Sequence, residues 1–309
     1  MKIVLLADST AGHILPCVKI AEHLNKDNEV KIVSFDRKIP HQLLDENQVF
    51  LKPFTNIKNY CAGLKEVRKF SKDTVFISLG GRIGLVILGL YIHGYRNLYI
   101  YELNAIFGQS NKLLLPFVKK AFTYFPLKGK KCINIGSPLE MEKTGPKIDR
   151  VMRRVLFLTG SNGSEEMFNI ADVLDKKKYQ IVVSTGIKER KFSSGIKSSG
   201  RILPMLYSDY DLIVARSGAG TIADIFRHHV PAIFLPSKNV KNDHQKKNVL
   251  SINKVITVPY LDYKDQNEKK LSEMIEDYSS YEKRLELVSS YDKFLHDDVI
   301  NKLYDEIKS

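Results

Sequence analysis

The sequence predicts an α/β protein made of two successive parallel-sheet domains, and three observations point to it. At 309 residues the chain is long for one compact domain. Its strand-like runs are apolar on both faces and alternate with amphipathic helical stretches, as in a parallel sheet covered on each side. A polar stretch without apolar period, Glu140 to Arg154, interrupts this pattern, which then begins again.

In the first domain, residues 1–145, the strand-like runs are Ile3–Leu6, Val30–Phe35, Thr74–Leu79, Leu98–Tyr101 and Cys132–Ile135. Helical patterns fall at Leu15–Leu24, Lys58–Phe70 and Asn111–Ala121. In the second, residues 152–309, the order is strand Val155–Leu158, helix Glu165–Leu174, strands Gln180–Ser184 and Leu212–Ala215, helix Thr221–Arg227 and strand Ala232–Leu235. The charged tail from Glu268 reads as helical, and its last helix is expected to return to the first domain.

Composition narrows the function. At 43% hydrophobic and 27% charged the chain is globular. Three scattered cysteines, Cys17, Cys61 and Cys132, lack metal-ligand spacing and read as small core residues of a reducing compartment. The start, MKIVLLADST, has no signal-peptide pattern. The most apolar run, Leu85 to Ile92, is less than half of the roughly 20 residues that span a bilayer. Flanked by Arg82 and Arg96, it reads as a membrane-facing patch or as a buried helix. Of 48 basic residues 23 lie in residues 1–150, against 13 of 35 acidic ones, so most of the net charge of +13 sits in the N-terminal half. Such a bias implies an anionic partner. No nucleic-acid recognition motif accompanies it. Lys119-Lys120, Lys128 and Lys130-Lys131 form a solvated face or a surface for acidic headgroups.

Ligands of open α/β sheets bind beyond the carboxyl ends of the strands, so the loops there matter most. Four are rich in small residues: Asp8 to His13, Gly80 to Gly84, Thr159 to Ser164 and Arg216 to Thr221. Small residues let backbone N–H groups approach an anion, and a helix N-terminus adds a favourable field. None fits the P-loop pattern. Asp209-Tyr210-Asp211 has the spacing of a metal motif, but Asp211 stands where a strand begins and is expected to cap it. His228-His229 reads as a helix C-terminal cap.

In this order the motifs resemble those of MurG-type glycosyltransferases. Thr10-Ala11-Gly12-His13-Ile14-Leu15-Pro16 is similar to TGGHxxP, and Tyr101-Glu102-Leu103-Asn104-Ala105 with Gly108, Asn111 and Phe125-Pro126 to HEQNxxxGxxN…FP. Gly160-Ser161-Asn162-Gly163 resembles GSQG, Arg216 to Asp224 resembles RSGALTxxE, and Asp243-His244-Gln245 with Asn248 resembles DHQxxN. The resemblance implies the GT-B fold, two Rossmann-like domains whose parallel sheets face an interdomain cleft. It also implies inverting transfer of N-acetylglucosamine from UDP-GlcNAc to a polyprenyl-pyrophosphate-linked muramyl acceptor, lipid I, without metal or other cofactor. The alternatives are a related transferase acting on another lipid or polysaccharide precursor, and a non-catalytic sugar-nucleotide-binding subunit.

The same resemblance assigns roles. Asp224 would accept the ribose hydroxyls, and Ala219, Gly220 and Thr221, continuing into Ile222 and Ala223, would hold the diphosphate in place of a cation. Ser161 would reach the phosphates, Ile202 would offer backbone to uracil, and Gln245 would contact the sugar. Thr10, Ala11, Gly12 and Asn104 would close on the donor, with Gly80, Gly81 and Arg82 on the acceptor side. His13 is the expected general base and Glu102 the second choice. Where the family has Gly-Asn-Pro-x-Arg this chain has Gly136-Ser137-Pro138-Leu139-Glu140, so Arg216 or Arg201 is expected to neutralise the nucleotide. The expected setting is the cytoplasmic face of the membrane, peripherally bound to anionic lipid.

Overall fold

The computed structural model describes residues 1–8, 10–35, 48–139, 145, 147–174, 178–188, 190–193, 195–200 and 202–309, without the side chains of residues 11 and 173. The chain divides into two compact units, Met1–Leu139 with Asp297–Ser309, and Glu140–His296. Part of the stretch expected to link domains, including Glu140, lies outside the described residues, as do Ser9 and Arg201.

The first unit is a seven-stranded parallel sheet of order β3-β2-β1-β4-β5-β6-β7. Its strands are β1 (Lys2–Ala7), β2 (Glu29–Phe35), β3 (Gln48–Leu51), β4 (Val75–Ser78), β5 (Leu98–Glu102), β6 (Lys120–Thr123) and β7 (Cys132–Asn134). β1 lies inside the sheet, with Leu5 opposite Ile32 on one side and Ile77 on the other. Its residues Ile3 to Ala7 are all at 0% exposure, which explains the unbroken apolar run. The helices are α1 (Ala11–Leu24), α2 (Ile57–Val67), α3 (Val86–Ile92) and α4 (Gln109–Leu114).

The helix expected over Asn111–Ala121 is therefore two elements. Pro116 cannot continue an α-helix, so α4 gives way to a single tight turn, and Ala121 to Thr123 pair with β5 as β6. α3 is the buried alternative for the apolar run: Val86, Ile87 and Leu90 are at 0%, and Ile92 emerges at 72%. Cys17 is buried as expected, whereas Cys61 is exposed and Cys132 half-buried.

The second unit is a five-stranded parallel sheet of order β10-β9-β8-β11-β12. It contains β8 (Arg154–Leu158), β9 (Gln180–Ser184), β10 (Ile196–Ser199), β11 (Leu212–Ala215) and β12 (Ala232–Phe234). Its helices are α5 (Glu165–Val173), α6 (Ala219–Arg227), α7 (His244–Ile252), α8 (Glu268–Asp277) and α9 (Tyr281–Ser290). Asp211 caps the start of the neighbouring β8 rather than of β11, which it precedes, its Oδ2 accepting the N–H groups of Arg153 and Arg154 at 2.8 Å each. His228 is the C-cap of α6, and His229 follows in the left-handed region at φ 48.

The last helix, α10 (Val299–Lys308), belongs to the first unit. Val299, Ile300, Leu303 and Ile307 bury its apolar face. Its polar residues are tied to that unit: Tyr304 Oη donates to Asn28 Oδ1 at 3.1 Å, and Asn301 Oδ1 stands 3.0 Å from His23 Nε2. Lys120 Nζ donates to the backbone and carboxylate of Glu306, both at 2.9 Å. Lys131 Nζ likewise serves the carbonyls of Leu115, Pro116 and Val118. Two of the lysines of the expected basic face are thus committed inside the fold.

Candidate functional site

In the second unit the strand order reverses between β8 and β11, and the loops 159–164 and 216–218 leave the carboxyl ends of these two strands. Crevices at such points are where open α/β sheets bind ligands. The two helices that follow differ in charge. α5 carries Glu165 and Glu166 in its first turn. Glu165 pairs with Lys188 at 3.3 Å and Arg190 at 2.5 Å; Glu166 pairs with Arg216 at 2.7 Å and Lys238 at 3.5 Å. The amino end of α5 is neutralised from within, and Ser161 sits exposed on the loop before it.

α6 has no acidic residue in its first turn, and its N-cap is Gly218, which has no side chain to cap with. The bond from Ile222 N to Gly218 O, 3.0 Å, opens the helical ladder. The N–H groups of Ala219, Gly220 and Thr221 precede it and have no intrahelical acceptor. Asp224 lies one turn further on, on the face of Gly220 and Thr221, half-buried and 3.8 Å from Arg227. Ile222 and Ala223 complete the expected set from inside the fold. Both are at 0% exposure, and their side chains belong to the core and support the helix.

Arg216 is a correction to the expected set. It is 6% exposed and turned inward. Nη1 donates to the carbonyls of Leu235 at 2.9 Å and Pro236 at 3.2 Å and to Gln266 Oε1 at 3.2 Å; Nη2 donates to Ser164 Oγ at 2.6 Å and Glu166 Oε2 at 2.7 Å. Burial lowers its pKa, and Glu166 opposes that shift. With both terminal nitrogens committed, Arg216 fastens the loop after β8 to the segment after β12, so it does not take over the missing neutralising role.

The segment resembling DHQxxN acts from behind the α6 loop. Asn248, at 0% exposure, donates through Nδ2 to Ser217 O at 3.1 Å. Ser217 Oγ donates to the carbonyl of Gln245 at 3.0 Å, and the Gln245 side-chain oxygen accepts from Ser237 N at 2.8 Å. Gln245 is thereby fixed by its carbonyl side. Ile202, 8% exposed, leads into the turn Pro204–Asp209. Ser164, Glu166 and Gln266 were given no role from sequence. Their one legible signal was the pair of acids opening α5.

In the first unit the corresponding reversal lies between β1 and β4. Thr10, extended at φ −91 and ψ 145, is the N-cap of α1, yet its hydroxyl caps no N–H. Its Oγ1 lies 3.0 Å from His13 Nδ1. A Cβ on Gly80 would stand 3.3 Å from His13 Nε2 and 3.6 Å from Asn111 Nδ2, so both border the Gly80 backbone. Burial lowers the His13 pKa, and nearby Asp8 acts weakly in the opposite sense. Asp8 also covers Gly81, where a Cβ would fall 2.3 Å from its own, and its Oδ2 accepts from Arg82 N at 3.1 Å. At φ +78, Gly81 meets a conformational as well as a steric need.

Glu102 is a second correction. It is 4% exposed, and four donors close its carboxylate: Asn104 N at 3.0 Å and Nδ2 at 3.3 Å on Oε1, Gly108 N at 2.9 Å and Asn111 Nδ2 at 3.0 Å on Oε2. Burial raises its pKa against the pull of these bonds. Such a carboxylate organises residues 102–111 and positions Asn104; it has no lone pair turned outward to act as a base. The cluster His13, Gly80, Asn111, Glu102 and Asn104 therefore leaves one base candidate, His13.

Gly12 tests whether the amino end of α1 is built for a ligand. A Cβ there would meet nothing within 4 Å. Gly12→Ala is expected to keep the fold, with melting unchanged or stability raised by up to about 1 kcal/mol. If a substrate approaches the backbone there, turnover falls by roughly 10²-fold through misplacement. Full activity would show that the glycine serves no ligand.

Two Rossmann-type units with Gly-rich loops at their strand-order reversals are a framework on which open α/β sheets bind nucleotide-containing ligands. Residues 154–302 match the glycosyltransferase family 28 C-terminal domain. Two relatives are each named UDP-N-acetylglucosamine--N-acetylmuramyl-(pentapeptide) pyrophosphoryl-undecaprenol N-acetylglucosamine transferase. That of Caldanaerobacter subterraneus is 29% identical over 89% of this chain and 90% of its own; that of Bacillus pumilus is 26% identical over 100% and 99%. The crystal structure of MurG from Acinetobacter baumannii superposes with a TM-score of 0.79 at 17% identity, covering 100% of this chain and 99% of that one, which establishes the GT-B fold. Residues 154–302 thus carry the glycosyltransferase family 28 C-terminal domain, and over its length the chain is similar to MurG-type glycosyltransferases.

Proposed function

We propose that the chain transfers N-acetylglucosamine from UDP-GlcNAc to a muramyl acceptor linked through pyrophosphate to a polyprenyl lipid, the reaction for which its relatives are named. The observation that carries the donor half is the uncapped, acid-free amino end of α6 with Asp224 one turn on. The N–H groups of Ala219, Gly220 and Thr221 take the diphosphate and stabilise the charge that develops on the leaving UDP, a task that then needs no cation. Asp224 accepts the ribose hydroxyls, Ile202 offers backbone to the base and Gln245 its amide to the sugar. In the first unit His13 removes the proton of the attacking acceptor hydroxyl, and direct displacement inverts the anomeric centre. Thr10 and Gly12 face the substrate phosphates, and Gly80, Gly81 and Arg82 border the acceptor.

Asp224→Ala is expected to weaken UDP binding by about 10–100-fold, the cost of a charge-assisted pair. Calorimetry with UDP, UDP-GlcNAc, UDP-glucose and GDP-mannose measures this and the donor preference together. Failure of the parent to bind any uridine nucleotide would overturn the donor assignment.

We also propose peripheral binding to anionic lipid through the first unit. Ile92 is 72% exposed at the end of α3, and Leu113 is 52% exposed beside Lys112 on α4. The adjacent Tyr91 stacks edge-on with Phe117 and lies under Arg96 at 4.6 Å. No helix among the described residues is long and apolar enough to cross a membrane. Ile92→Glu is expected to reduce flotation with phosphatidylglycerol vesicles severalfold. Parent protein that fails to float with them would remove the proposal.

A further inference from the structure

We infer that Thr10 is a positioning residue that ties the proton on His13 to the presence of a substrate pyrophosphoryl group; the inference rests on His13 being the base proposed above. The 3.0 Å contact between Thr10 Oγ1 and His13 Nδ1 admits two arrangements. In one, the hydroxyl donates to Nδ1, so the neutral ring carries its proton on Nε2 and has no lone pair there. In the other, Nδ1–H donates to the hydroxyl oxygen, and Nε2, the nitrogen bordering Gly80, is free to accept a proton. Only the second ring is a base toward a substrate hydroxyl.

The second arrangement turns the Thr10 O–H away from His13, toward some other acceptor. Thr10 is exposed at the N-cap of α1, and its hydroxyl bonds no N–H of the helix. Water can take that proton weakly. A pyrophosphoryl oxygen takes it firmly, because it accepts and never donates, and the amino end of α1 favours an anion there. A substrate phosphate against Thr10 therefore draws the hydroxyl proton to itself. The ring proton moves from Nε2 to Nδ1 by exchange with water, with no net gain or loss of protons. The base is armed when the substrate that needs it is bound, and idle Nε2 is held protonated otherwise.

The geometry assigns the chemistry, a pyrophosphoryl oxygen, which both the nucleotide donor and a polyprenyl-pyrophosphate acceptor carry. Nitrogen-15 spectra of histidine-labelled full-length protein at pH 8, with the His13 signals identified through His13→Gln, report the tautomer directly. UDP and geranyl pyrophosphate are added separately, each to saturation judged by calorimetry. The expected result is that the Nε2–H form falls at least about threefold with one of them, and that ligand names the source of the phosphate. Thr10→Ser is expected to keep the response and Thr10→Val to abolish it; the wild-type comparison stands by itself if the valine variant does not fold. A tautomer unchanged by both bound ligands would overturn the role of Thr10 alone. Failure of both ligands to bind would overturn the donor and acceptor readings and this inference with them.

Discussion

Replacing His13 with alanine is expected to lower turnover by about 10²–10⁴-fold, the usual contribution of a positioned general base. UDP affinity is expected to stay within about twofold of the parent, since the nucleotide is assigned to the other unit. The expectation follows from the cluster of Glu102, Asn104, Asn111 and His13 described above. Glu102 is closed by four donors, and Asn111 is bound to it, so the imidazole is the group of that cluster able to take a proton. The pH profile supplies a second reading. Burial disfavours the imidazolium and holds the pKa of His13 below the ordinary imidazole range. A base works in its neutral form, which predominates above its pKa, so the acid limb of kcat/KM lies below the pH at which free imidazole loses its charge. Asp8 acts in the opposite direction, and Asp8→Asn is expected to move that limb lower still. Wild-type turnover in His13→Ala would remove His13 as the base.

Arg216→Ala is expected to destabilise the second unit by about 3 kcal/mol or more, seen as a fall in its thermal midpoint of roughly 6–12 °C. The reason lies in what is left behind. The carbonyls of Leu235 and Pro236 lose a buried donor, and Ser164 and Glu166 lose the group that joins them to the segment after β12. The ion pair with Glu166 adds less, because that carboxylate is 37% exposed and partly screened by water. Arg216→Lys is expected to recover little, since an ammonium cannot span five acceptors from one planar fork. An unchanged midpoint together with lost UDP affinity would instead make Arg216 a direct ligand contact.

The two cases show what the sequence could reveal. Strands such as Ile3–Leu6 and Leu212–Ala215 were legible because a parallel sheet buries both of their faces. β3 and β10 were not, because β3 buries only its last residue, Leu51, and β10 reads Ile-Lys-Ser-Ser with half of it exposed. β6 was hidden by an apolar run that continues straight out of α4, and the one mark of the boundary was Pro116. Small residues at strand ends marked the loops, and at Gly81 the glycine answers a need of the local chain. The direction of a charged side chain was beyond reach, because it depends on acceptors remote in sequence. Arg216 turns toward Leu235, Pro236 and Gln266, and Glu102 toward Gly108 and Asn111, contacts that only the folded sheets create.

The central claim is the transfer itself. Incubating the purified chain with radiolabelled UDP-GlcNAc and lipid I, and counting label in the butanol-extractable lipid, tests it directly. The proposed chemistry predicts that label enters the lipid fraction in proportion to enzyme, with one UDP released per sugar transferred, and that His13→Ala abolishes most of it. Binding of UDP-GlcNAc with no label reaching lipid I would contradict that claim.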